Sequence, residues 1–162
     1  MKRTMELITQ ATRSMDRIAG WILMLAVFLI VVNILSRQLF RSSILGTYEY
    51  VGYLTAAVIA LSVAYCAVQN AHIAVGFIVE RFPVKMQSMI DIFTRFISLV
   101  FFGLVAWHMA RYAWVTALSG ELSPTTRLPF YPFIYLTALG LLALCAVILA
   151  QLLATLKKVM GK

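Results

Sequence analysis

Four stretches of this chain are too long and too apolar to be hidden inside a small water-soluble fold. They cover residues 18–35, 50–68, about 90–112 and about 130–156. A helix rises about 1.5 Å per residue, so about 20 apolar residues cross the roughly 30 Å hydrocarbon core of a bilayer. The sequence therefore predicts an all-α integral membrane protein with four transmembrane helices.

Composition supports this prediction. Apolar residues make up 62% of the chain and charged residues only 12%, against about 45–50% and 25% in an ordinary soluble domain. A soluble fold of 162 residues would leave much of that apolar surface in water. The four spans use so much of the chain that we expect a single membrane domain over residues 1–162, with no separate soluble domain.

The third span is the least obvious of the four. Only residues 96–110 are uncharged, between Arg95 and Arg111, and 15 residues extend for only about 22 Å. We therefore expect the helix to continue at both ends. The long side chain of Arg95 would then reach toward the lipid headgroups at the membrane interface.

The segment before the first span mixes apolar and basic residues. Met5, Ile8, Met15 and Ile18 recur at near-helical spacing, with basic residues between them. This pattern is typical of an amphipathic helix that lies on the membrane surface and leads into the first span. A simple charged tail explains the same residues equally well.

Lysine and arginine are distributed unequally between the two ends of the predicted spans. Ten of the 14 lie in the two tails or around the connection between the second and third spans. The positive-inside rule therefore predicts cytoplasmic N- and C-termini. It also explains the net charge of +8 better than nucleic-acid binding, which we do not expect. The four basic residues on the other side are Arg37, Arg41, Arg111 and Arg127.

Motifs for chemistry are missing from the sequence. It contains no phosphate-binding glycine loop and no hydrolase or zinc-protease motif. All six acidic residues fall at span ends or in loops, whereas proton-coupled transport usually needs an ionisable group inside the membrane. His72 and His108 lie at opposite ends of their spans, too far apart to share one haem. We therefore expect no enzymatic activity, no catalytic residue, no metal and no cofactor.

Glu49 opens the second span. Gly46-Thr47, just before it, is expected to separate this helix from the preceding one, and Thr47 is a candidate N-cap. A carboxylate in the first turn of a helix is stabilised by the helix dipole. We prefer this explanation of Glu49 to a functional role.

Small residues recur every four positions in two of the spans. Such spacing lets membrane helices approach closely, with chance in an alanine-rich protein as the competing explanation. For the run in the second span we favour packing, so that Ala60→Leu should be more disruptive than Ala57→Leu. The sequence does not identify the partner helix. The two runs are Gly52, Ala56, Ala60 and Ala64, and Ala146, Ala150 and Ala154.

Several short motifs follow one another in a characteristic order along the four spans. They are Asn33-x-x-Ser36-Arg37, Gly46-Thr47-Tyr48-Glu49, His72-Ile73-Ala74-Val75, Glu80-Arg81-Phe82-Pro83 and Thr126-Arg127-Leu128-Pro129, with Gly140 in the last span. In this order of motifs, over about residues 18–153, the chain resembles the small (Q-type) permease subunit of tripartite ATP-independent periplasmic (TRAP) transporters. The family often has a basic and then an acidic residue around its His-x-x-Val motif, where Ala74 and Gly76 stand here.

This resemblance implies a non-catalytic scaffold subunit in the bacterial inner membrane. Its partners would be a large permease subunit, a periplasmic substrate-binding protein and membrane lipids, and the complex would import organic acids on a sodium gradient. Asn33, Arg37, Glu49, His72 and Arg95 would then lie at the membrane interface or at assembly contacts. The main alternative is a membrane anchor for a redox enzyme. A small self-assembling exporter is a further one, but it should carry a carboxylate within a span.

Overall fold

The computed structural model describes residues 2–69 and 83–160, and within them the chain forms four long α-helices. These are α1 (Lys2–Phe40), α2 (Thr47–Val68), α3 (Val84–Ser119) and α4 (Tyr131–Met160). Each contains a segment long and apolar enough to cross a membrane. The predicted all-α fold with four membrane-spanning helices is therefore confirmed.

The helices lie side by side in an open row and do not close into a bundle. The order across the row is α1, α2, α4, α3, because α1 packs on α2, α2 on α4 and α4 on α3. Beyond these three pairs, α1 touches α4 slightly, and other contacts between helices in the described residues are marginal. Consequently α1 and α3 form the two edges of the row, and each leaves most of its surface uncovered by the chain.

The two central helices run parallel to each other in a fixed register. At one end the rings of Tyr53 and Phe133 are stacked with centroids 4.6 Å apart. At the other end Gln151 Nε2 donates a hydrogen bond to the carbonyl oxygen of Ala67 at 2.9 Å. The short connections 41–46 and 120–130 turn the chain between neighbours, so the edge helices run opposite to the central pair.

Small residues form the seams between the helices. On α1 the buried positions are Thr12, Ala19 and Ala26, seven residues apart, a spacing that keeps side chains on one face of a helix. Small side chains let helix backbones approach closely, which strengthens their van der Waals packing. On α3 the buried positions are Ala106, Ala113 and Thr116, and the main apolar cluster between α2 and α4 comprises Ala64, Ala67, Leu144, Val147 and Ile148.

The edge helices are much longer than a bilayer requires. The 39 residues of α1 extend for about 58 Å and the 36 of α3 for about 54 Å. As expected, α3 continues beyond residues 96–110 at both ends. The segment before the first span continues α1 without a break, with Ile8 packed against the apolar cluster. Its position relative to the membrane surface stays a prediction.

Candidate functional site

The carboxylate of Glu49 joins the two connections at one end of the row. We call this end the loop end and define it by residues 41–46 and 120–130. One carboxylate oxygen accepts a hydrogen bond from the backbone N–H of Thr125 at 3.0 Å. The other accepts from the N–H of Thr126 at 2.9 Å and from its hydroxyl at 2.6 Å. Glu49 therefore fastens the start of α2 to the α3–α4 connection, a contact beyond the expected helix-dipole effect.

Gly46 lies directly against the same connection. Its φ of 80° is in the left-handed region, and a Cβ atom here would collide with the side chain of Thr126. Gly46 is also the residue that caps α2. The expected cap, Thr47, is instead the first helical residue, and its hydroxyl donates to the carbonyl of Ile44 at 2.8 Å. A glycine is thus needed here both for its backbone conformation and for close approach.

The α3–α4 connection folds into a tight turn that presents its amides to Glu49. The N–H of Ser123 donates to the carbonyl of Leu128 at 2.9 Å, and the N–H of Arg127 donates to the carbonyl of Ser123 at 3.1 Å. Arg127 has a φ of 53°, which is uncommon for a residue other than glycine. The side chain of Ser123 is buried. The turn therefore holds its two amides in place for the carboxylate.

The Asn33-x-x-Ser36 segment holds the α1–α2 connection against the end of α1. Asn33 Oδ1 accepts a hydrogen bond from the backbone N–H of Ile44 at 2.9 Å. Ser36 Oγ donates to the carbonyl of Ser42 at 3.0 Å. The segment therefore has a structural role that its spacing alone does not reveal. Arg37, which follows it, is exposed at the loop end, and its predicted role in assembly remains open.

Only part of the small-residue run on α2 lies in a helix seam. Ala60 and Ala64 are buried, whereas Gly52 is exposed, and a Cβ atom added to it would have no neighbour within 4 Å. The buried face repeats every three or four residues, so it includes Ala57, which is only 5% exposed. The reason for expecting Ala57→Leu to be the milder substitution, that Ala57 lies off the packed face, therefore does not hold, and the ranking of the two substitutions stays a prediction. Ala56 is half-buried.

The run on α4 faces away from the core of the chain. Ala146 and Ala154 are exposed and Ala150 is half-buried. The close approach of α2 and α4 occurs instead at Gly140, where a Cβ atom would lie 2.7 Å from the carbonyl carbon of Ala60. Contact of the Ala146–Ala154 run with a partner protein stays a prediction.

Polar contacts at the opposite end of the row, which carries the chain termini, tie α4 to both of its neighbours. Arg95 Nη1 on α3 donates to Thr155 Oγ1 on α4 at 3.1 Å, and Gln151 donates to the end of α2 as described above. Arg95 is half-buried, and it links α3 to α4 through this hydrogen bond. Its location at the membrane interface stays a prediction. His72 lies outside the described residues.

The described interior contains few polar side chains. Its buried polar residues carry hydroxyls only. No group of three or more His, Cys, Asp or Glu that could hold a metal ion occurs in the part of the chain that the structure describes. The arrangement can hold helices and loops in place and present surfaces to a partner. The buried polar residues are Thr12, Thr47, Thr116 and Ser123.

Comparison with known proteins identifies the family. The family model of the DctQ component of tripartite ATP-independent periplasmic transporters matches residues 25–158, which is well over half of the chain. A comparison with curated proteins finds no match. Membership of this family gives no support to the alternative of a redox-enzyme anchor. The chain belongs to the DctQ family and is the small membrane component of a TRAP transporter.

Proposed function

We propose that this subunit is a non-catalytic scaffold for the large permease subunit of a sodium-driven importer. The substrates are organic acids, with carboxylates such as dicarboxylates as the main class, and a periplasmic binding protein delivers them. The complex lies in the bacterial inner membrane with both termini of this chain in the cytoplasm. Family membership supports the tripartite assembly, and the ten-to-four distribution of basic residues supports the orientation.

The open row of helices is the observation that carries the scaffold proposal. A chain that moves an ion or a charged substrate needs polar or ionisable groups inside the membrane. Within the described residues, the buried polar side-chain groups are hydroxyls, those of threonine, serine and Tyr53. The edge helices instead expose large apolar side chains over most of their length, and such surfaces suit contact with lipid and with a second membrane protein.

Reconstitution tests the proposal directly. Liposomes would contain this chain, the large subunit or both, with the binding protein and a labelled organic acid outside and an inward sodium gradient. We expect uptake only when both membrane subunits and the binding protein are present. Uptake by this chain and the binding protein without the large subunit would overturn the scaffold role. Uptake that persists after a sodium ionophore collapses the gradient would overturn the sodium coupling.

Reporter fusions test the orientation separately. A reporter active only in the cytoplasm should function when fused after Lys162, and one active only in the periplasm should function when inserted near Ser119. The reverse pattern would show that the positive-inside prediction is wrong for this chain.

A further inference from the structure

The two edges of the helix row differ in the side chains that they expose. On α3, the face turned away from α4 carries Val100, Leu104, His108 and Arg111, all of them exposed. His108 and Arg111 are three residues apart and therefore neighbours on the helix surface. In the described part of the chain, neither side chain hydrogen-bonds to another residue. This edge thus carries polar groups whose partners are not supplied by the chain.

The depth of His108 makes this exposure costly in lipid. A core of about 30 Å centred on the uncharged residues 96–110 covers about 20 residues, roughly 93–113. His108 then lies about 8 Å from the bilayer midplane, on the same side as the loop end but deeper than the span end at which the sequence analysis placed it, and inside a half-thickness of about 15 Å. Arg111 can extend its long stem toward the headgroups, but the shorter imidazole of His108 reaches less far. A polar group at this depth without a hydrogen-bond partner is unfavourable.

The opposite edge shows no such feature. Between Arg17 and Arg37, α1 contains no ionisable residue. The side chains that it exposes over this length are apolar, and the amide of Asn33 is already bonded to the neighbouring connection. A face of this kind is well solvated by acyl chains. Prominent members of it are Met24, Val27, Phe28, Val31 and Ile34.

We propose that the α3 edge, centred on His108 and Arg111, is the surface that packs against the large permease subunit, whereas the α1 edge faces lipid. This assignment rests on the proposed scaffold function, which requires a large membrane-embedded partner. The partner would meet His108 and Arg111 with carbonyl or carboxylate oxygens, since Arg111 offers only donors and the imidazole offers at least one. The apolar residues around them would form the rest of the contact.

A matched pair of valines provides the test. Val100 on α3 is 48% exposed and Val27 on α1 is 52% exposed, and both lie near the middle of their uncharged stretches. Tagged subunit would be co-expressed with the large subunit, and the large subunit recovered on affinity purification would be measured. We expect Val100→Trp to lower recovery about fivefold or more, as overpacking a well-fitted contact does. His108→Phe, which keeps an aromatic ring but removes its hydrogen-bonding nitrogens, should lower recovery as well. Val27→Trp should behave like the wild type.

Two controls make every outcome informative. The melting temperature and gel-filtration profile of each purified variant alone would show whether it still folds. A photo-crosslinking amino acid in place of Val100 or Val27 gives an independent answer in intact membranes, including for a variant that folds poorly. Crosslinks to the large subunit from position 100 alone support the proposal, and any other pattern overturns it. If wild-type subunit fails to recover the large subunit at all, the proposed function itself is wrong.

Discussion

Gly140 lies at a very close approach between two helix backbones. It lies on α4 where that helix meets α2, and an added Cβ atom would be 2.7 Å from the carbonyl carbon of Ala60 and 3.0 Å from its Cα. The carbonyl oxygen of Ala60 would be closer still. These are backbone atoms of a regular helix, so they cannot move aside as the end of a flexible side chain could. Gly140→Ala must therefore push the two central helices apart.

Two opposing effects determine the size of the change. Alanine is favoured over glycine in a helix by about 1 kcal/mol, so the substitution would be stabilising in an open position. Overpacking a close contact costs typically 1–3 kcal/mol, and rigid backbone on the opposing side points to the upper part of that range. We therefore expect a net loss of about 1–2 kcal/mol, the difference between these two effects. At about 2–4 °C per kcal/mol for a chain of this size, the melting temperature should fall by about 2–8 °C.

Gly52→Ala is the matched control for this measurement. Gly52 is also within a helix, but a Cβ atom there would have nothing within 4 Å. Thermal unfolding of both variants in the same detergent should show a lower melting temperature for Gly140→Ala and an unchanged or higher one for Gly52→Ala. If Gly140→Ala melts at or above the wild-type temperature, the two helices do not approach as closely as the structure indicates, and the reasoning fails.

Three further predictions concern the loop end and the α2 seam. Glu49→Ala should speed hydrogen exchange at the backbone amides of Thr125 and Thr126, which donate to the Glu49 carboxylate, whereas a substitution elsewhere on the surface should not. Unchanged protection of these amides would show that their hydrogen bonds to Glu49 do not form in solution. Ala57→Leu and Ala60→Leu should each destabilise the isolated chain by about 1–3 kcal/mol, since both positions are buried; a wild-type melting temperature for either would place that residue outside the seam. Arg37→Ala should impair whole-cell uptake more than Arg41→Ala, because Arg37 ends the segment that holds the α1–α2 connection. Equal and small effects of the two substitutions would mean that both arginines contact only lipid headgroups.

The four helices could be predicted from the sequence because the signal is local. A membrane-spanning helix must satisfy its own backbone hydrogen bonds and be apolar over its length, and both properties are visible in a continuous stretch of residues. Even the third span, whose uncharged part is short, is recognisable because the long side chain of Arg95 can reach toward the lipid headgroups. The order of the helices across the row has no comparable local signal, since each membrane-spanning segment is apolar over most of its surface and its sequence does not single out the face that packs on a neighbour.

The hydrogen-bond partners of Glu49 at the loop end could not be predicted from the sequence. Glu49 in a first turn is adequately explained by the helix dipole, and nothing near it in sequence indicates that its partners are Thr125 and Thr126, more than 70 residues away. The α2 seam could be predicted only in part, at Ala60 and Ala64, for a different reason. A search for small residues every four positions follows a line that drifts around the helix, whereas the buried faces alternate steps of three and four. Spacings of seven, as in Thr12 and Ala19, would have located the α1 seam.

The distribution of side-chain size gives a general way to separate structural positions from partner surfaces in this subunit. Lipid chains are as apolar as leucine, so the helices are held by close backbone approach and not by the burial of large apolar side chains. One added methyl group in a seam should therefore lower the stability of the isolated chain, while trimming a large outward residue should leave it nearly unchanged. Leu104→Ala on the outward face of α3 illustrates the second case, because Leu104 is 59% exposed. If the large subunit covers this face, the same variant should weaken the complex, since binding stabilises a protein only through contacts made in the bound state. The melting temperature of Leu104→Ala, measured for the isolated chain and for its complex with the large subunit, would separate the two effects. A lower melting temperature of the isolated chain would place Leu104 in a seam. Wild-type melting temperatures in both samples would show that lipid, and not the large subunit, covers this face.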